Sequence, residues 1–567
     1  MIGLISATAA GAAARDRLAA AWPDRTRVYE GPVGEAVRSA FAECEQLVCF
    51  LATGATVRLL APLLADKAAD PGVVCVDEGG RFAVSLVGGH GGGANELARE
   101  VGGLLGAEPV VTTATDAVGL AGLDTLGLPC EGAVAAVSRA LLDGEPVVLD
   151  AESTWPLPPL PVSPQGSYTI RLTDRDVEPG EREVLLRPPS LVVGVGASKG
   201  APVAEVLGLI EETLREAGLS PRSVAELATV DAKSEEPGIL GAAERLGVPV
   251  VTYSAEELAA VEVPNPSAAP LAAVGTPSVA EAAALLGGGE LLVPKRKSDA
   301  APAMATCAVV RRAGRGRLAV VGLGPGARDL LTPRATAELR RASVLVGLDQ
   351  YVDQIRDLLR PGTRVLESGL GAEEERARTA VEQARLGHAV ALIGSGDAGV
   401  YAMASPALAE ASDDIEVIGV PGVTAALAAA AILGAPLGHD HVSISLSDLH
   451  TPWEVIERRV RAAAEADLVV TFYNPRSRGR DWQLPHALGI LAEHRAPTTP
   501  VGVVRNASRP DGSSRVTTLT GLDPASVDMM TVVTVGNTAT RTVAGRMVTP
   551  RGYRWQNGPG EQPEETR

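Results

Sequence analysis

Six short turns occur in a fixed order in the second half of the chain, each directly after an apolar run of β type. They read VVGLGPG (320–326), GSGDAGVY (394–401), VPGVTA (420–425), FYNP (472–475), VRNA (504–507) and VTVGN (533–537). One glycine turn is weak evidence, but ligands of α/β sheets bind beyond the carboxyl ends of the strands. The ordered series therefore predicts a cofactor cleft built from strand ends.

The whole chain alternates short apolar runs with alanine-rich amphipathic segments. Examples of the apolar runs are VVCVD (73–77), LVVGVG (191–196) and SVLVG (343–347). This alternation is typical of α/β proteins with parallel sheets, so we expect several α/β units. Closely spaced strands without long helices in 499–548 indicate an antiparallel component near the end.

The length of 567 residues, together with the proline-rich and basic stretches that interrupt the chain, suggests several domains. The proline-rich stretch 155–164 ends one region, and the basic stretch 312–317 resembles a linker. The predicted division is 1–128 and 190–311 as α/β domains, 129–189 as a middle region with the proline-rich linker, 312–317 as a second linker, 318–550 as a unit with subdomains of about 318–436 and 437–550, and 551–567 as a tail.

Composition excludes some function classes. A formal net charge of −18 opposes nucleic-acid binding, which needs clustered basic residues. Five scattered cysteines without a CxxC pair favour a reducing cytoplasm, and buried thiols at Cys44 and Cys49 are favoured over a metal site. The uncharged stretch 417–438 is interrupted by Pro421-Gly422 and Pro436, so we predict no membrane span.

The first turn of the series places glycines at Gly322, Gly324 and Gly326. A dinucleotide fingerprint needs GxGxxG running directly into a helix, whereas Pro325 interrupts this turn and Thr332-Pro333 marks a later helix start. A nicotinamide cofactor is therefore disfavoured. A tight turn without a ligand is an equal alternative for this motif alone.

The second and third turns offer polar groups next to small residues. Asp397 suits a ribose or an ammonium group, and a helix N-cap is its alternative reading. Pro421-Gly422 makes the third turn, and Thr424 begins an alanine-rich helix. Small side chains there leave room for a flat ring.

The first half carries a glycine-rich loop, GGHGGGANELA (88–98), that suits an anion or an oxyanion. His90 is an acid–base candidate with Asp77 and Glu78 as possible partners, and Asn95 is predicted to cap a helix near Leu97. A capped loop with a solvent-facing histidine is an equal alternative. The predicted substrate contacts in this half are Gly92, Gly93, Asn95 and Lys199.

Two further turns of the first half follow predicted strands. GVGASKG (194–200) is not a Walker loop, because Lys199 precedes the final glycine. Lys199 near a helix start could bind carboxylates. The turn with Asp231, Lys233 and Glu236 also offers charged groups, but a solvated turn is slightly favoured over a binding site.

Residues of about 318–550 resemble the precorrin-3B C17-methyltransferases of the tetrapyrrole methylase family. The resemblance rests on VGLGPGARDLLTPRA, GSGDAGVYAMA, PGVTAALAAAAILGAPLGHD, the branch-specific LSDLHTPWEVIE, YNPRSR and VGNTAT. It implies a two-domain fold that binds S-adenosylmethionine between its domains, and methylation of C17 of a tetrapyrrole with ring contraction. Ala398 stands where the family usually has proline. The implied cofactor contacts are Gly322, Gly324, Pro325, Gly326, Gly394, Ser395, Gly396, Asp397, Val400, Tyr401, Pro421, Gly422, Thr424, Ala425, Tyr473, Asn474 and Asn506.

The resemblance also suggests groups for the tetrapyrrole itself. Asp448 and His450 are the candidates for proton transfer, although each histidine alone is more often a surface residue. Arg476 and Arg505 could receive substrate carboxylates, with ordinary surface arginines as an equal alternative.

Residues of about 1–311 resemble cobalt-precorrin-5A hydrolase. The matching segments include TGATVRLLAPLLADKAADPGVVCVDEGG, GGHGGGANELA, GVGASKG, LATVDAKSEEPGIL and LLVPKRKS. The resemblance implies opening of the lactone left by ring contraction, with release of acetaldehyde. Ala197-Ser198-Lys199 replaces the usual Cys-Arg-Arg.

Together the two halves predict a cytoplasmic, bifunctional corrin-ring enzyme, with no bound metal and a homodimer formed through the methylase half. The fused hydrolase favours cobalt-containing substrates over metal-free precorrin-3B. Two alternatives stay open. The first half could be a non-catalytic tetrapyrrole-binding module, or the chain could be an NAD(P)-dependent oxidoreductase.

Overall fold

A computed structural model describes residues 1–66, 69–89, 91–113 and 118–552, apart from the side chain of Ala269. His90 lies outside the described residues. The chain divides into two compact units: Met1–Gly314 with Arg360–Gly362, and the residues from Arg315 onward without those three. No helix in the described ranges has the length and apolar character needed to cross a bilayer.

The first sheet of unit 1 is mostly parallel. Its strands are Ile2–Ser6 (β1), Thr26–Tyr29 (β2), Gln46–Phe50 (β3), Gly72–Val76 (β4), Phe82–Val87 (β5) and Glu108–Val110 (β6), and its helices are Ala9–Ala21, Val33–Glu43, Thr53–Leu60 and Ala94–Leu105. The order is β2-β1-β3-β4-β5-β6, with β4 and β5 antiparallel. Cys44 and Cys49 are buried free thiols, as predicted.

A second sheet forms within the stretch between the two α/β regions of unit 1. Its strands are Cys130–Gly132 (β7), Val147–Ala151 (β8), Tyr168–Leu172 (β9) and Glu183–Leu186 (β10), beside the helix Val134–Asp143. The order is β7-β10-β9-β8. Leu123, Ile170 and Leu186 share its apolar core, so this stretch has a folded core of its own.

The third sheet of unit 1 combines a parallel half with an antiparallel half. Its strands are Leu191–Ala197 (β11), Val224–Val230 (β12), Val250–Tyr253 (β13), Glu290–Lys297 (β14) and Ala305–Arg311 (β15), and its helices are Val203–Glu216, Pro237–Leu246, Ala255–Ala259, Ala268–Val274 and Ala280–Leu285. The order is β13-β12-β11-β15-β14. Strand β15 is antiparallel to both of its neighbours, so β14 runs in the same direction as β11.

Unit 2 begins with a fully parallel sheet. Its strands are Arg317–Gly322 (β16), Val344–Leu348 (β17), Arg364–Ser368 (β18), Ala389–Gly394 (β19) and Glu416–Val420 (β20), and its helices are Pro333–Arg341, Asp349–Ile355, Glu373–Arg385, Ala404–Glu410 and Ala425–Leu433. The order is β18-β17-β19-β16-β20. The predicted helix start is confirmed, since the Thr332 hydroxyl accepts the N–H of Ala335 at 3.1 Å.

The rest of unit 2 contains the predicted antiparallel component. Its strands are Gly434–Ala435 (β21), His441–Ser445 (β22), Val469–Tyr473 (β23), Pro500–Arg505 (β24), Ser513–Thr518 (β25), Thr531–Val535 (β26), Arg541–Val543 (β27) and Arg546–Val548 (β28), and its helices are Trp453–Glu465 and Gln483–Ala492. The main sheet has the order β22-β23-β26-β24-β25, and β21-β28-β27 form a small one. Strand β26 is antiparallel to both β23 and β24.

Short 3-10 turns connect several of these elements. They are Leu123–Thr125, Pro221–Ser223, Asp231–Lys233, Arg328–Leu330, Arg356–Leu358 and Pro524–Ser526.

Candidate functional site

The first three glycine turns of the series follow three neighbouring strands. Strand β16 lies between β19 and β20, with Gly322 opposite Gly394 and Val321 opposite Val420. Because all three strands are parallel, their carboxyl ends meet at one edge of the sheet. The turns after Gly322, Gly394 and Val420 are therefore in contact, as a shared site requires.

The glycines of these turns are required by contacts between the turns themselves. Gly324 and Gly396 exchange two backbone hydrogen bonds, of 2.9 and 2.8 Å. A Cβ on Gly322 would lie 2.7 Å from the carbonyl oxygen of Gly396, and one on Gly422 would lie 2.1 Å from that same oxygen. Side chains would therefore push the turns apart, and glycine here sets the shape of the edge.

Asp397 fastens the second turn to the third. One carboxylate oxygen accepts the N–H of Gly399 at 2.8 Å, and the other accepts the N–H of Gly422 at 3.0 Å. The side chain is half-buried and does not cap a helix, because the next helix begins at Ala404. Its carboxylate therefore positions the two turns, and each oxygen keeps a lone pair for a further donor.

Tyr473 joins the end of β23 to the third turn. Its hydroxyl lies 2.6 Å from the Thr424 hydroxyl and accepts the N–H of Ala426 at 2.8 Å, while Ala425 is the first residue of the helix. The ring centroid lies 5.2 Å from that of Tyr401. Tyr473 therefore supplies the N-terminal cap that the Thr424 side chain does not provide.

Tyr401 has the left-handed backbone conformation that is unusual for a bulky residue. Its φ is 51°, the residue is 55% exposed, and its hydroxyl donates to the carbonyl of Ser443 at 2.8 Å. Val400 precedes it in the turn that closes on Asp397. Such strain persists where the surroundings fix the residue, and it presents an aromatic ring beside the turns.

Two asparagines directly follow the strands β23 and β24. Asn474 and Asn506 both have a φ of 49°, and the Asn474 amide donates to the Ser445 hydroxyl at 3.1 Å. Asn506 is 7% exposed and donates to Asp511 at 2.6 Å, but its side-chain oxygen has no partner within the described ranges. An orphaned buried acceptor is suited to a ligand N–H.

Arg509 and Tyr351 reach the same edge but were not recognised in the sequence. The Arg509 guanidinium donates to the carbonyl of Pro325 at 3.0 Å and covers Gly326. Burial raises the pKa of the Tyr351 hydroxyl, and the opposing influences include Arg509 and a hydrogen bond with Ser395. Both residues come from segments without a glycine motif, so no sequence signal singled them out.

The sixth turn of the series, VTVGN, lies away from the others, which corrects its predicted place in the cleft. Strand β26 runs antiparallel to β23, so Val535 lies opposite Val470 while Val533 lies opposite Phe472. Gly536 and Asn537 therefore lie at the edge of the sheet where β23 begins. Tyr473 lies at the opposite edge, where β23 ends. The buried Asn537 oxygen accepts from Ala539 and Thr540, which gives this turn a structural role.

The two predicted substrate arginines are engaged inside the protein. Arg505 donates to Asp528 at 2.8 Å and lies 3.6 Å from Asp511, while Arg476 donates to the carbonyl of Ala525 at 2.7 Å. Each guanidinium has one internal acceptor and keeps further N–H donors, so the role of both arginines as carboxylate receptors stays a prediction.

The proton-transfer candidates Asp448 and His450 are exposed at the loop after β22. Asp448 accepts the amide of Gln483 at 3.0 Å, and the neighbouring Leu449 is 73% exposed. This loop lies beyond the same end of β22 as Ser445, which contacts Asn474. The two candidates therefore follow the strand edge that carries the FYNP turn.

In unit 1 the predicted partner Glu78 lies far from the described glycines of the loop, while His90 itself lies outside the described residues. Gly88 and Gly92 contact Gly72 at the start of β4, whereas Glu78 is exposed in the hairpin that follows β4. Because β5 is antiparallel to β4 and six residues long, the two places are roughly 17 Å apart. Asp77 accepts the N–H groups of Arg81 and Phe82 in that distant hairpin.

The other predicted contacts of this loop also have structural roles. Gly93 has a φ of 72° and precedes a helix that begins at Ala94, so Asn95 is in the first turn and is not the cap that was predicted. Asn95 is 4% exposed, accepts the Ser85 hydroxyl at 2.7 Å and donates to Thr113 at 3.1 Å. It therefore connects β5 to the segment after β6.

Lys199 follows strand β11 and is exposed at the carboxyl edge of the third sheet. It lines a cavity of about 570 Å³ within unit 1. Lys199 is one of the residues predicted to bind substrate in the first half, and this cavity gives it a place where a ligand could be held.

Three families match the chain. The Tetrapyrrole (Corrin/Porphyrin) Methylases match residues 317–523, Cobalamin synthesis G C-terminus matches 191–310, and Cobalamin synthesis G N-terminal matches 35–116.

Among similar proteins is the "Probable cobalt-factor III C(17)-methyltransferase" of Salmonella typhimurium. It is 47% identical over 239 residues, which are 42% of this chain and 99% of that protein. The "Cobalamin biosynthesis protein CobIJ" of Mycobacterium tuberculosis is 44% identical over 42% of this chain, but the chain covers only 48% of its length. A solved structure, "Crystal structure of the methyltransferase CobJ", is 42% identical, with a TM-score of 0.40, over 41% of this chain and 100% of that one.

The near-complete coverage of a relative at 47% identity identifies the second half, and residues 35–116 and 191–310 of the first half match the two cobalamin synthesis G models. The chain therefore belongs to the tetrapyrrole (corrin/porphyrin) methylases and carries, in front of the methylase, both parts of the cobalamin synthesis G family.

Proposed function

We propose that this chain is a bifunctional enzyme of cobalamin biosynthesis. Residues 318–550 transfer a methyl group from S-adenosylmethionine to C17 of cobalt-factor III or precorrin-3B with ring contraction, and residues 1–311 open the lactone of cobalt-precorrin-5A with release of acetaldehyde. The observation that carries the first activity is the 47% identity with a C17-methyltransferase along 99% of its length. The two cobalamin synthesis G matches support the second.

The residues at the glycine edge of unit 2 fit the methyl donor. Asn506 offers a buried oxygen without a partner to an amine, and Asp397 retains acceptor capacity beside two glycines. The exposed Tyr401 ring offers an apolar surface. Bound S-adenosylmethionine supplies a methyl group on a positively charged sulfur. The chain's own contribution is to fix the turns through Asp397 and Tyr473 and so align the donor with its acceptor.

The tetrapyrrole would lie beside Tyr401 and the loop after β22. Asp448 and His450 are exposed on this loop, and either could move a proton during ring contraction. The exposed Leu449 between them suits contact with an apolar macrocycle. The fused cobalamin synthesis G domains favour the cobalt-containing substrate over its metal-free counterpart.

Mass spectrometry tests both activities on the full chain. Incubation with S-adenosylmethionine and either cobalt-factor III or metal-free precorrin-3B should add one methyl group, with the cobalt substrate preferred. Cobalt-precorrin-5A should separately yield acetaldehyde and the opened acid. Methylation without acetaldehyde release would leave the first half as a tetrapyrrole-binding module, and transfer to neither substrate would refute the proposed methylase activity.

Assembly and location are part of the same proposal. We propose a cytoplasmic homodimer formed through the methylase half. The exposed Leu408, Leu427 and Ile432 on helices of unit 2 offer apolar surface for it. Analytical ultracentrifugation of the full chain should show a dimer, and a monomer at micromolar concentration would refute this assembly.

A further inference from the structure

Lysine is rare in this chain and unevenly placed. Only five of the 51 Lys and Arg residues are lysine, namely Lys67, Lys199, Lys233, Lys295 and Lys297. Four of these five line the 570 Å³ cavity of unit 1. Almost all other basic residues of the chain are arginine. Four lysines at one cavity therefore indicate a site that uses their amines to bind a ligand.

The topology of the third sheet brings these lysines together from distant parts of the sequence. Lys199 follows β11, Lys233 follows β12, and Lys295 and Lys297 lie at the end of β14. Strands β11, β12 and β14 run in the same direction, so their carboxyl ends meet at one edge. Ligands of α/β sheets bind at this edge.

The two lysines of β14 share the cavity side of the strand. Lys295 and Lys297 line the cavity, whereas the intervening Arg296 pairs with Glu216 of the helix Val203–Glu216. Successive side chains of a β-strand point to opposite faces of the sheet, so Lys295 and Lys297 share one face and Arg296 lies on the other.

Internal partners engage two of the four amines. The Lys233 amine lies 3.2 Å from the buried Glu236, which also accepts the N–H of Gly200 at 2.6 Å. The Lys295 amine donates to the carbonyl of Asn265. Lys199 and Lys297 have no side-chain partner in the part of the chain that is described. No Asp or Glu is among the described lining residues, so the cavity keeps a positive charge.

The remaining lining is mostly apolar. Val230, Val274, Val279, Pro270, Ala273 and Met304 form much of the wall. An apolar wall with a few charged groups at its rim is typical of small-molecule sites, which measure about 300–1,000 Å³. The volume of 570 Å³ admits one edge of a tetrapyrrole with its carboxylate side chains.

We propose that this lysine-lined cavity, at the carboxyl edge of β11, β12 and β14, is where the first half of the chain binds the carboxylates of its tetrapyrrole. Lys199 and Lys297 receive the carboxylates, Lys233 and Lys295 hold the rim of the cavity, and the apolar wall contacts the ring. The inference rests on the proposed function for the class of ligand. It places the site in residues 191–311.

Titration of the full chain with uroporphyrin tests this site. Uroporphyrin is a stable tetrapyrrole with an acetate and a propionate on every pyrrole, and its binding is followed by fluorescence. The double variant Lys199→Gln, Lys297→Gln should lose one equivalent of bound porphyrin, or bind it about tenfold more weakly, because two charge-assisted contacts are removed. Binding to this site should also weaken with salt.

The matched control is Arg38→Gln, Arg245→Gln, which removes the same charge from exposed positions of unit 1. Arg245 is in the last turn of the helix Pro237–Leu246, which begins after β12 and so ends near the opposite edge of the sheet. Unchanged methyl transfer and melting temperature show that the lysine variant is folded. The single variants Lys199→Gln and Lys297→Gln provide the comparison if the double variant is unstable.

Equal porphyrin binding by the lysine variant and the arginine control would overturn the proposal, as would lysine-dependent binding of ATP with none of uroporphyrin. Lysine-dependent porphyrin binding in a chain that releases no acetaldehyde would support the site while refuting the hydrolase activity. The failure of the site and that of the proposed function are thus distinguished.

Discussion

The Tyr473 hydroxyl lies 2.6 Å from the Thr424 hydroxyl and accepts the backbone N–H of Ala426. A residue of the mostly antiparallel sheet thus caps a helix that follows a strand of the parallel sheet. Strand β23 ends at Tyr473, and the helix Ala425–Leu433 follows the parallel strand β20. This contact fixes the third glycine turn against the second sheet of unit 2. The shape of the proposed donor site therefore depends on one phenol.

Replacement of that phenol tests the contact. Tyr473→Phe keeps the ring beside Tyr401 but leaves the N–H of Ala426 and the Thr424 hydroxyl without their partner. We expect a stability loss of about 1 kcal/mol and roughly fivefold weaker binding of S-adenosylhomocysteine, measured by calorimetry. Tyr253→Phe, in unit 1, is the control and should change neither. Unaltered donor binding by Tyr473→Phe would remove this contact from the site.

The carboxylate of Asp397 is expected to be necessary because both of its oxygens accept N–H groups. Asp397→Asn replaces one acceptor by an NH₂ group that would face the N–H of Gly399 or Gly422. We expect stability to fall by about 1–2 kcal/mol and methyl transfer to fall more than tenfold. Asp329→Asn, on the exposed turn after the first glycine motif, is the matched control. Equal rates for the two variants would contradict the assigned role.

A buried ion pair stabilises the first strand of the methylase. Arg317 is 7% exposed and donates to Glu338 at 2.9 Å, with Glu416 at 3.2 Å. Arg317→Met would leave the Glu338 carboxylate without its partner, which typically costs about 3 kcal/mol. Thermal unfolding should show this loss at neutral pH. The hydrogen bond from Arg317 lowers the pKa of Glu338, so the pair's contribution should disappear as the pH falls below about 4.5. A pH-independent difference would argue against the pair.

Buried thiols should protect the folded chain from alkylation. Burial raises the pKa of Cys49 to about 12 from an ordinary value of 9.0. Between these two values the unfolded chain loses a proton that the folded chain keeps, so stability falls as the pH rises. Iodoacetamide at pH 9 should modify Cys49 only after urea is added, as read by peptide mass spectrometry. Rapid modification of the folded protein would contradict its burial.

The local features of unit 2 could be predicted from sequence because each depends on neighbouring residues. The helix start at Thr332-Pro333 and the glycine turns after β16, β19 and β20 are set by backbone chemistry within a few positions. The meeting of these three turns follows from parallel strands, whose carboxyl ends share an edge.

The errors arise where strand direction decides which side chains meet. Antiparallel β5 carries the glycine loop away from Glu78, and antiparallel β26 carries the turn at Gly536 away from Tyr473. The hydrogen bond from Arg505 to Asp528 joins β24 to the connection between β25 and β26, and no local sequence pattern indicates it. The cavity lysines come from the connections after β11 and β12 and from β14 itself, and their meeting depends on the position of β14 beyond β15.

Calorimetric titration of the full chain with S-adenosylhomocysteine, and in parallel with NAD and NADP, distinguishes a methyl-donor site at the glycine turns from a dinucleotide site. We expect one S-adenosylhomocysteine to bind per chain, with an affinity that Asp397→Asn reduces, and no heat of binding from either dinucleotide. Binding of NAD or NADP without binding of S-adenosylhomocysteine would contradict the methyl-donor site.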